Sequence, residues 1–152
     1  MLDTFDAAIL DIIQSDASLS HEAIGKEVNL SASSVRRRIA HLRQTGINER
    51  DVSLVNIEQF GVLLIVSVIL NQETPEIYNE LDDVFAGQDL VKQSYHVSGE
   101  NDYVLVIHAA SMRAYEEWSR SVLMSNPYIN RFNTTVVYSR RKFDTSVTTS
   151  SD

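Results

Sequence analysis

Cysteine is missing altogether, so neither a disulfide framework nor thiolate chemistry is open to this chain of 152 residues. Proline occurs twice and glycine five times, too sparsely for a fibrous or low-complexity chain. Long apolar runs are also lacking. The longest, Val62 to Leu70, is interrupted by Ser67 and is far too short for a transmembrane helix. The opening MLDTFDAAIL carries Asp3 and Asp6 but no early Lys or Arg, unlike a secretory signal. The expectation is a cytoplasmic protein with no membrane partner.

Catalytic patterns are equally scarce. There is no Gly-rich phosphate loop and no Gly-x-Ser-x-Gly elbow. The four histidines, His21, His41, His96 and His108, have no evident third ligand for a metal. The acidic pairs Asp82-Asp83 and Glu116-Glu117 are neighbours on predicted helices. Each pair therefore diverges by about 100° and reads as a solvated face, not an acid–base dyad. No enzyme, metal or cofactor is expected.

What is present is a local contradiction of charge. The chain is acidic, at net −8. Yet Ser31 to Gly46 holds Arg36, Arg37, Arg38 and Arg43 and no carboxylate. Residues 1–50 carry six basic and seven acidic side chains, and residues 51–152 carry seven and fourteen. The second half should repel nucleic acid; the first can meet it.

Periodicity organises that first half as three helices. Leu2, Phe5, Ile9, Ile12 and Ile13 make one apolar stripe over Asp3 to Ser15, with Asp3 or Thr4 as cap. A second helix, His21 to Val28, is capped by Ser20 and stopped by Asn29, which tolerates a left-handed backbone. A third, capped by Ser31, turns Val35, Ile39 and Leu42 to one side and ends at Gly46. Together these make a helix-turn-helix. Its third helix fits a major groove. Ser33, Ser34 and Arg37 face outward as candidates for base edges, with His41 beyond them and Arg36 and Arg38 flanking. Arg38 and Arg43 lie nearer the buried boundary and suit either phosphates or an ion pair. Ser20 and His21 open the second helix, where backbone N–H groups can meet a phosphate.

Residues Ile47 to Ile57 alternate only partly and read as a strand-like linker closed by Phe60-Gly61. The remainder reads strand, helix, strand, strand, helix, strand. Val62–Leu70, Leu90–Val97, Tyr103–Ala110 and Ile129–Ser139 are the strands. One helix starts at Thr74-Pro75, buries Ile77, Leu81 and Val84, and stops at Gly87. The other starts at Ser111, buries Met112, Tyr115, Trp118 and Val122 or Leu123, and stops at Asn126-Pro127. This βαββαβ order gives a ferredoxin-like, four-stranded antiparallel sheet with both helices on one face, within an α+β chain. The expected division is 1–47 for the helix-turn-helix, 48–61 for a hinge or wing, 62–144 for the ferredoxin-like domain and 145–152 for a frayed tail. Val62 to Leu70 is apolar almost throughout, which calls for cover on both faces of the sheet. Helices cover one face. A second copy of the chain is expected to cover the other.

With these features in order, the chain resembles the Lrp/AsnC family, the feast/famine regulators. The resemblance rests on LDTFDAAIL at residues 2–10, LSASSVRRRIAHLRQTGI at 30–47, Phe60-Gly61, and VSGENDYVLVI at 97–107. It implies a winged helix-turn-helix joined by a hinge strand to a regulatory domain. It further implies homodimers assembling to tetramers or octamers, double-stranded DNA as partner, and an amino-acid effector held between regulatory domains. By position, Ser33, Ser34, Arg36 and Arg37 fall on the family's DNA-reading stretch, and Arg38 on a backbone contact. Gly99, Glu100, Asn101, Asp102 and Tyr103 span the loop near which effectors sit. Such a loop can offer N–H groups to a carboxylate and an acid to an ammonium group. Three positions depart from the pattern. Asn29 stands where the turn usually has glycine, His41 replaces a commonly basic residue, and Asn48-Glu49-Arg50-Asp51 is more acidic than a usual wing. A sensing or assembly module that has lost DNA binding is the alternative reading of the same residues.

Overall fold

The structure, a computed structural model, describes residues 2–149. Met1 and the last three residues of the expected tail lie outside the described residues. The chain forms two compact units, Met1–Leu54 with Lys142–Asp152, and Val55–Arg141. No helix among the described residues is long and apolar enough to cross a membrane.

The first unit is built from α1 (Thr4–Ser15), α2 (His21–Val28) and α3 (Ala32–Gln44). Asp3 starts α1 with a capping box: its side chain accepts from the Asp6 N–H, and the Asp6 side chain reaches back to the Asp3 N–H. Ser20 and Ser31 cap α2 and α3. The helices close over Ile9, Leu10, Ile24, Val28, Val35, Ile39 and Leu42, all buried. Leu10 joins this core although the expected stripe left it out, whereas Leu2 and Phe5 stay exposed.

Asn29 ends α2 at φ 56°, ψ 44°, the left-handed conformation that its position demands. A β-carbon there costs about 1–2 kcal/mol, which a short polar side chain partly recovers by local bonding. Asn29→Ala should therefore destabilise the first unit by about 1 kcal/mol, while Asn29→Gly leaves it unchanged or slightly firmer. Thermal unfolding of the two variants side by side checks this.

Residues 48–56 form no strand among the described residues, contrary to the expected hinge strand; only a 3-10 turn follows, at Ile57–Gln59. Val52, Leu54 and Val55 are largely exposed. A strand needs a ladder partner, and none of the described residues offers one here.

The second unit carries β1 (Val62–Leu70), α4 (Pro75–Ala86), β2 (Val91–His96), β3 (Tyr103–Ala109), α5 (Met112–Ser119) and β4 (Ile129–Val136). The four strands pair antiparallel in the order β2-β3-β1-β4. Thr74 caps α4 with Pro75 in its first turn, and Ser111 caps α5, which runs on into a π turn at Arg120–Met124. Leu64, Val66, Val68 and Leu70 of β1 alternate into a core shared with Leu105 and Ile107 of β3 and with Leu81, Phe85 and Trp118 of the helices. Phe85 fills the place on α4 that the pattern gave to Val84, which is only half-buried. Met112 is exposed, not buried.

The opposite sheet face stays open. Leu63 and Ile69 are half-buried and Ile65 is exposed, with Val104 and Val106 beside them on β3. Both apolar faces of β1 are therefore present, and among the described residues the helices of this unit cover only one of them.

Candidate functional site

Helix α3 buries Val35, Ile39 and Leu42, and this fixes what it shows to solvent. Ser33, Arg36, Arg37 and His41 are exposed, and Ser34 is half-buried. At its start the Ser31 hydroxyl accepts from the Ser34 N–H at 3.2 Å and lies 3.0 Å from both the Ser33 and Ser34 hydroxyls. The first turn thus offers hydroxyls held in place by the cap. Arg37, Ala40, His41 and Gln44 line one shallow concavity together with Arg38 and Asp6. Ser20 caps α2 by accepting from the Ala23 N–H at 3.1 Å, and His21 is exposed beside it.

The four arginines divide into two kinds. Arg43 pairs with Asp51, whose other oxygen accepts from Asn48 at 3.1 Å. Arg38 uses Nη1 to bond both Asp3 and Asp6, each at 2.7 Å, and its guanidinium lies 5.4 Å from the centre of the Phe5 ring. Its side chain is 24% exposed. Of the two roles left open for Arg38, phosphate contact or ion pair, the structure shows the ion pair. Its charge is spent joining α3 to α1, because two carboxylates at the start of α1 stand against it. Arg36 and Arg37 have no ion-pair partner among the described residues and stand in water.

That joint has a pH signature. The Asp6 backbone N–H, and next the Arg38 guanidinium, hold the Asp3 carboxyl below the usual aspartate range. A carboxyl depressed in the folded state adds stability above its unfolded pKa. That stability is lost as pH falls through the folded value. Asp3→Asn should therefore flatten the acid side of the first unit's stability profile. Circular dichroism melts from neutral to strongly acidic pH check this.

The loop between β2 and β3 is the second candidate. Gly99 turns it at φ 119° and, like Glu100, is exposed; Asn101 is half-buried. Asp102 is half-buried and turned inward: Oδ2 accepts from the Leu70 N–H at 2.7 Å, and its own N–H donates to the Val68 carbonyl at 2.9 Å. Tyr103 is fully buried and donates its hydroxyl to Asp82 Oδ1 at 2.8 Å. Burial, and then that bond to Asp82, push the Tyr103 hydroxyl far above its ordinary value. Tyr103 thus belongs to the core of the second unit, and Asp102 ties the end of β1 to the start of β3. The Glu100 side chain has no ion-pair partner among the described residues.

The sequence reading missed two neighbours of this loop, Tyr78 and His96. Their rings are 4.1 Å apart, and the His96 ring stacks on Tyr103 at 5.4 Å. Only the β2–β3 register, which sets His96 opposite Tyr103, could have shown this. His108 pairs with Leu63 on the opposite sheet face, with its Nε2 3.2 Å from the Ile57 carbonyl. The two histidines therefore do not converge.

Comparison with known proteins agrees with this layout. The model of the AsnC-type helix-turn-helix domain matches residues 2–43, and that of the Lrp/AsnC ligand binding domain matches residues 63–147. The chain is 34% identical over 152 residues to the transcriptional regulator AzlB of Bacillus subtilis, covering 97% of this chain and 95% of that one. It is 27% identical over 138 residues to the leucine-responsive regulatory protein of Escherichia coli, covering 90% and 84%. Its fold is that of the transcriptional regulator NMB0573/L-Met complex from Neisseria meningitidis, with a TM-score of 0.87 at 23% identity, covering 97% and 96%.

Proposed function

This chain belongs to the Lrp/AsnC family of DNA-binding transcriptional regulators, and from that membership we propose how its residues divide the work. Helix α3 lies in the major groove, where Arg36 and Arg37 face bases and phosphates and Ser33 and Ser34 meet groups at the helix start. Ser20 and His21 bring the first turn of α2 against the sugar–phosphate backbone. The observation that carries this reading is the division of the arginines: two are committed to carboxylates, and two neighbours on the exposed face are not.

The second unit holds an amino acid or a related small molecule through the loop at Gly99, Glu100 and Asn101. The loop's N–H groups suit a carboxylate and Glu100 suits an ammonium. The L-Met complex of the Neisseria structure supports this ligand class. The protein acts by binding, not by catalysis. An effector switches it only by favouring one assembly or DNA-bound state over another.

Two copies pair through the open sheet face around Ile65 and Val106. Sedimentation at micromolar concentration should give a dimer or a larger even assembly. Ile65→Asp with Val106→Asp should shift it to the monomer, because a charge on a desolvated apolar face is costly. To test the whole reading, genomic fragments retained by the purified protein are isolated. The amino acids are then titrated one by one against the fragment–protein complex. A specific fragment whose affinity changes with one amino acid supports the reading. Retention of no fragment above background contradicts it.

A further inference from the structure

Beyond α3, one stretch also runs against the acidic character of the chain. Tyr138-Ser139-Arg140-Arg141-Lys142-Phe143 holds three consecutive cations and no carboxylate. It lies in a half of the chain that carries fourteen acidic side chains against seven basic ones. Others of those basic residues are engaged: Arg113 and Arg120 pair with Glu117 and Glu116 one helical turn away, and Lys92 donates to the Asp89 carbonyl.

Arg141 and Lys142 are exposed, and neither has an ion-pair partner among the described residues. The carboxylate nearest in sequence, Asp144, is engaged by Ser146, whose hydroxyl and N–H donate to it at 2.7 and 2.9 Å. Those bonds are the main reason its carboxyl is held low, with Lys142 a smaller influence. Tyr138 is fully exposed, an aromatic ring with its hydroxyl in water.

The segment is not a loose end. On its N-terminal side the Val137 N–H donates to the Leu63 carbonyl at 2.9 Å, and the Arg140 N–H donates to Glu58 Oε1 at 2.8 Å. On its C-terminal side Gln14 of α1 and Val147 exchange two hydrogen bonds, at 2.7 and 3.1 Å. The Thr149 hydroxyl reaches Asp11 Oδ1 at 2.6 Å and the Ala7 carbonyl at 3.1 Å. The expected frayed tail is thus tied to the first helix over residues 147–149.

We propose that Arg141 and Lys142, with Tyr138 beside them, make a second contact to DNA, to backbone phosphates and not to bases. The proposal rests on the DNA-binding reading above and adds to it a contact outside the helix-turn-helix. Consecutive cations with no planar alignment to a base edge neutralise phosphates, and that gives affinity without sequence information. A tyrosine hydroxyl can add a hydrogen bond to a phosphate oxygen.

The test is a salt titration of binding by fluorescence anisotropy. It uses two labelled duplexes of unrelated mixed sequence, each about 40 base pairs long, enough to span two half-sites about 34–36 Å apart. The proteins compared are the full chain, Arg141→Ala/Lys142→Ala, the charge-keeping Arg141→Lys/Lys142→Arg, and Arg36→Ala/Arg37→Ala. For Arg141→Ala/Lys142→Ala, the slope of log K against log salt should shrink by about 0.9 for each cation lost per phosphate contact. Affinity should fall by the same factor on both duplexes, and the charge-keeping variant should retain both slope and affinity. An unchanged slope overturns the proposal, as does a loss confined to one duplex. If Arg36→Ala/Arg37→Ala loses slope while Arg141→Ala/Lys142→Ala does not, this second contact fails and the DNA-binding reading stands. If the full chain binds neither duplex, both fail.

Discussion

Replacing Arg36 and Arg37 together by alanine should weaken binding to a specific duplex by roughly 10²–10³-fold, since each bidentate arginine–guanine contact is worth about 1–3 kcal/mol. Part of the loss should be insensitive to salt, because base contacts release no counterions, and part should follow the phosphate count. Stability should hardly move. Both side chains are exposed and neither is ion-paired, so their removal should stay within about 0.5 kcal/mol of the parent. That separation of binding from folding is the informative part. Arg38→Ala should do the reverse. It breaks the joint to Asp3 and Asp6, so it should lower the melting temperature of the first unit, and it should affect DNA only through that loosening. Anisotropy titrations and thermal melts on the same preparations check both halves.

The second large effect is expected at Gly25. This residue lies inside α2, where glycine is a poor helix former, so its presence needs a reason. The reason is crowding. A β-carbon at Gly25 would stand 2.4 Å from the Leu30 carbonyl oxygen, which belongs to backbone and cannot swing away. The Leu30 N–H also donates to the Gly25 carbonyl at 2.9 Å, and Ser31 immediately afterwards caps α3. Gly25→Ala must push the α2–α3 turn apart at the point that sets the direction of α3. Overpacking of this kind costs about 1–3 kcal/mol, and here the upper end is expected because the atom the β-carbon meets is main chain. DNA affinity should fall at least about tenfold even where the variant remains folded, because small errors in docking geometry are enough to lose aligned contacts. Melting curves with a binding titration at a temperature well below the transition separate the two effects. Parent-like behaviour in both would show that the tight turn does not control the reading helix.

Much of this was legible in the residues themselves. The helices and strands followed from apolar spacing and from side-chain caps. Asp3, Ser20, Ser31, Thr74 and Ser111 each satisfy N–H groups at a helix start, and this is a local property that sequence states directly. Helix α2 and strand β1 have the expected bounds for that reason. What failed depended on partners distant in sequence. Residues 48–56 lack a ladder. Phe85, four residues after Leu81 and eight after Ile77, takes the core place given to Val84, a choice between adjacent apolar residues that depends on how α4 sits on the sheet. The tail reads as polar and loose, yet Gln14 and Asp11 provide what Val147 and Thr149 need.

The site was legible to a similar depth. An excess of arginine over carboxylate located α3, but composition could not say which arginines were spoken for. That depended on Asp3, Asp6 and Asp51, whose positions relative to α3 only the folded chain provides. The loop at 99–103 was found by its motif, and the motif did not reveal that Tyr103 faces the core. Strand alternation carries that information only once register is known. Tyr103 pairs with Val68 and His96, and so lies on the helix-covered face.

The central claim is that α3 enters the major groove and that Arg36 and Arg37 read there. Methylation interference at guanine N7 on a selected genomic fragment tests it most directly, since that atom lies in the major groove. Interference should appear at guanines in two clusters about one helical turn or a whole multiple apart, and should vanish for Arg36→Ala/Arg37→Ala. Tight binding with no N7 interference, or interference that survives loss of both arginines, would contradict it.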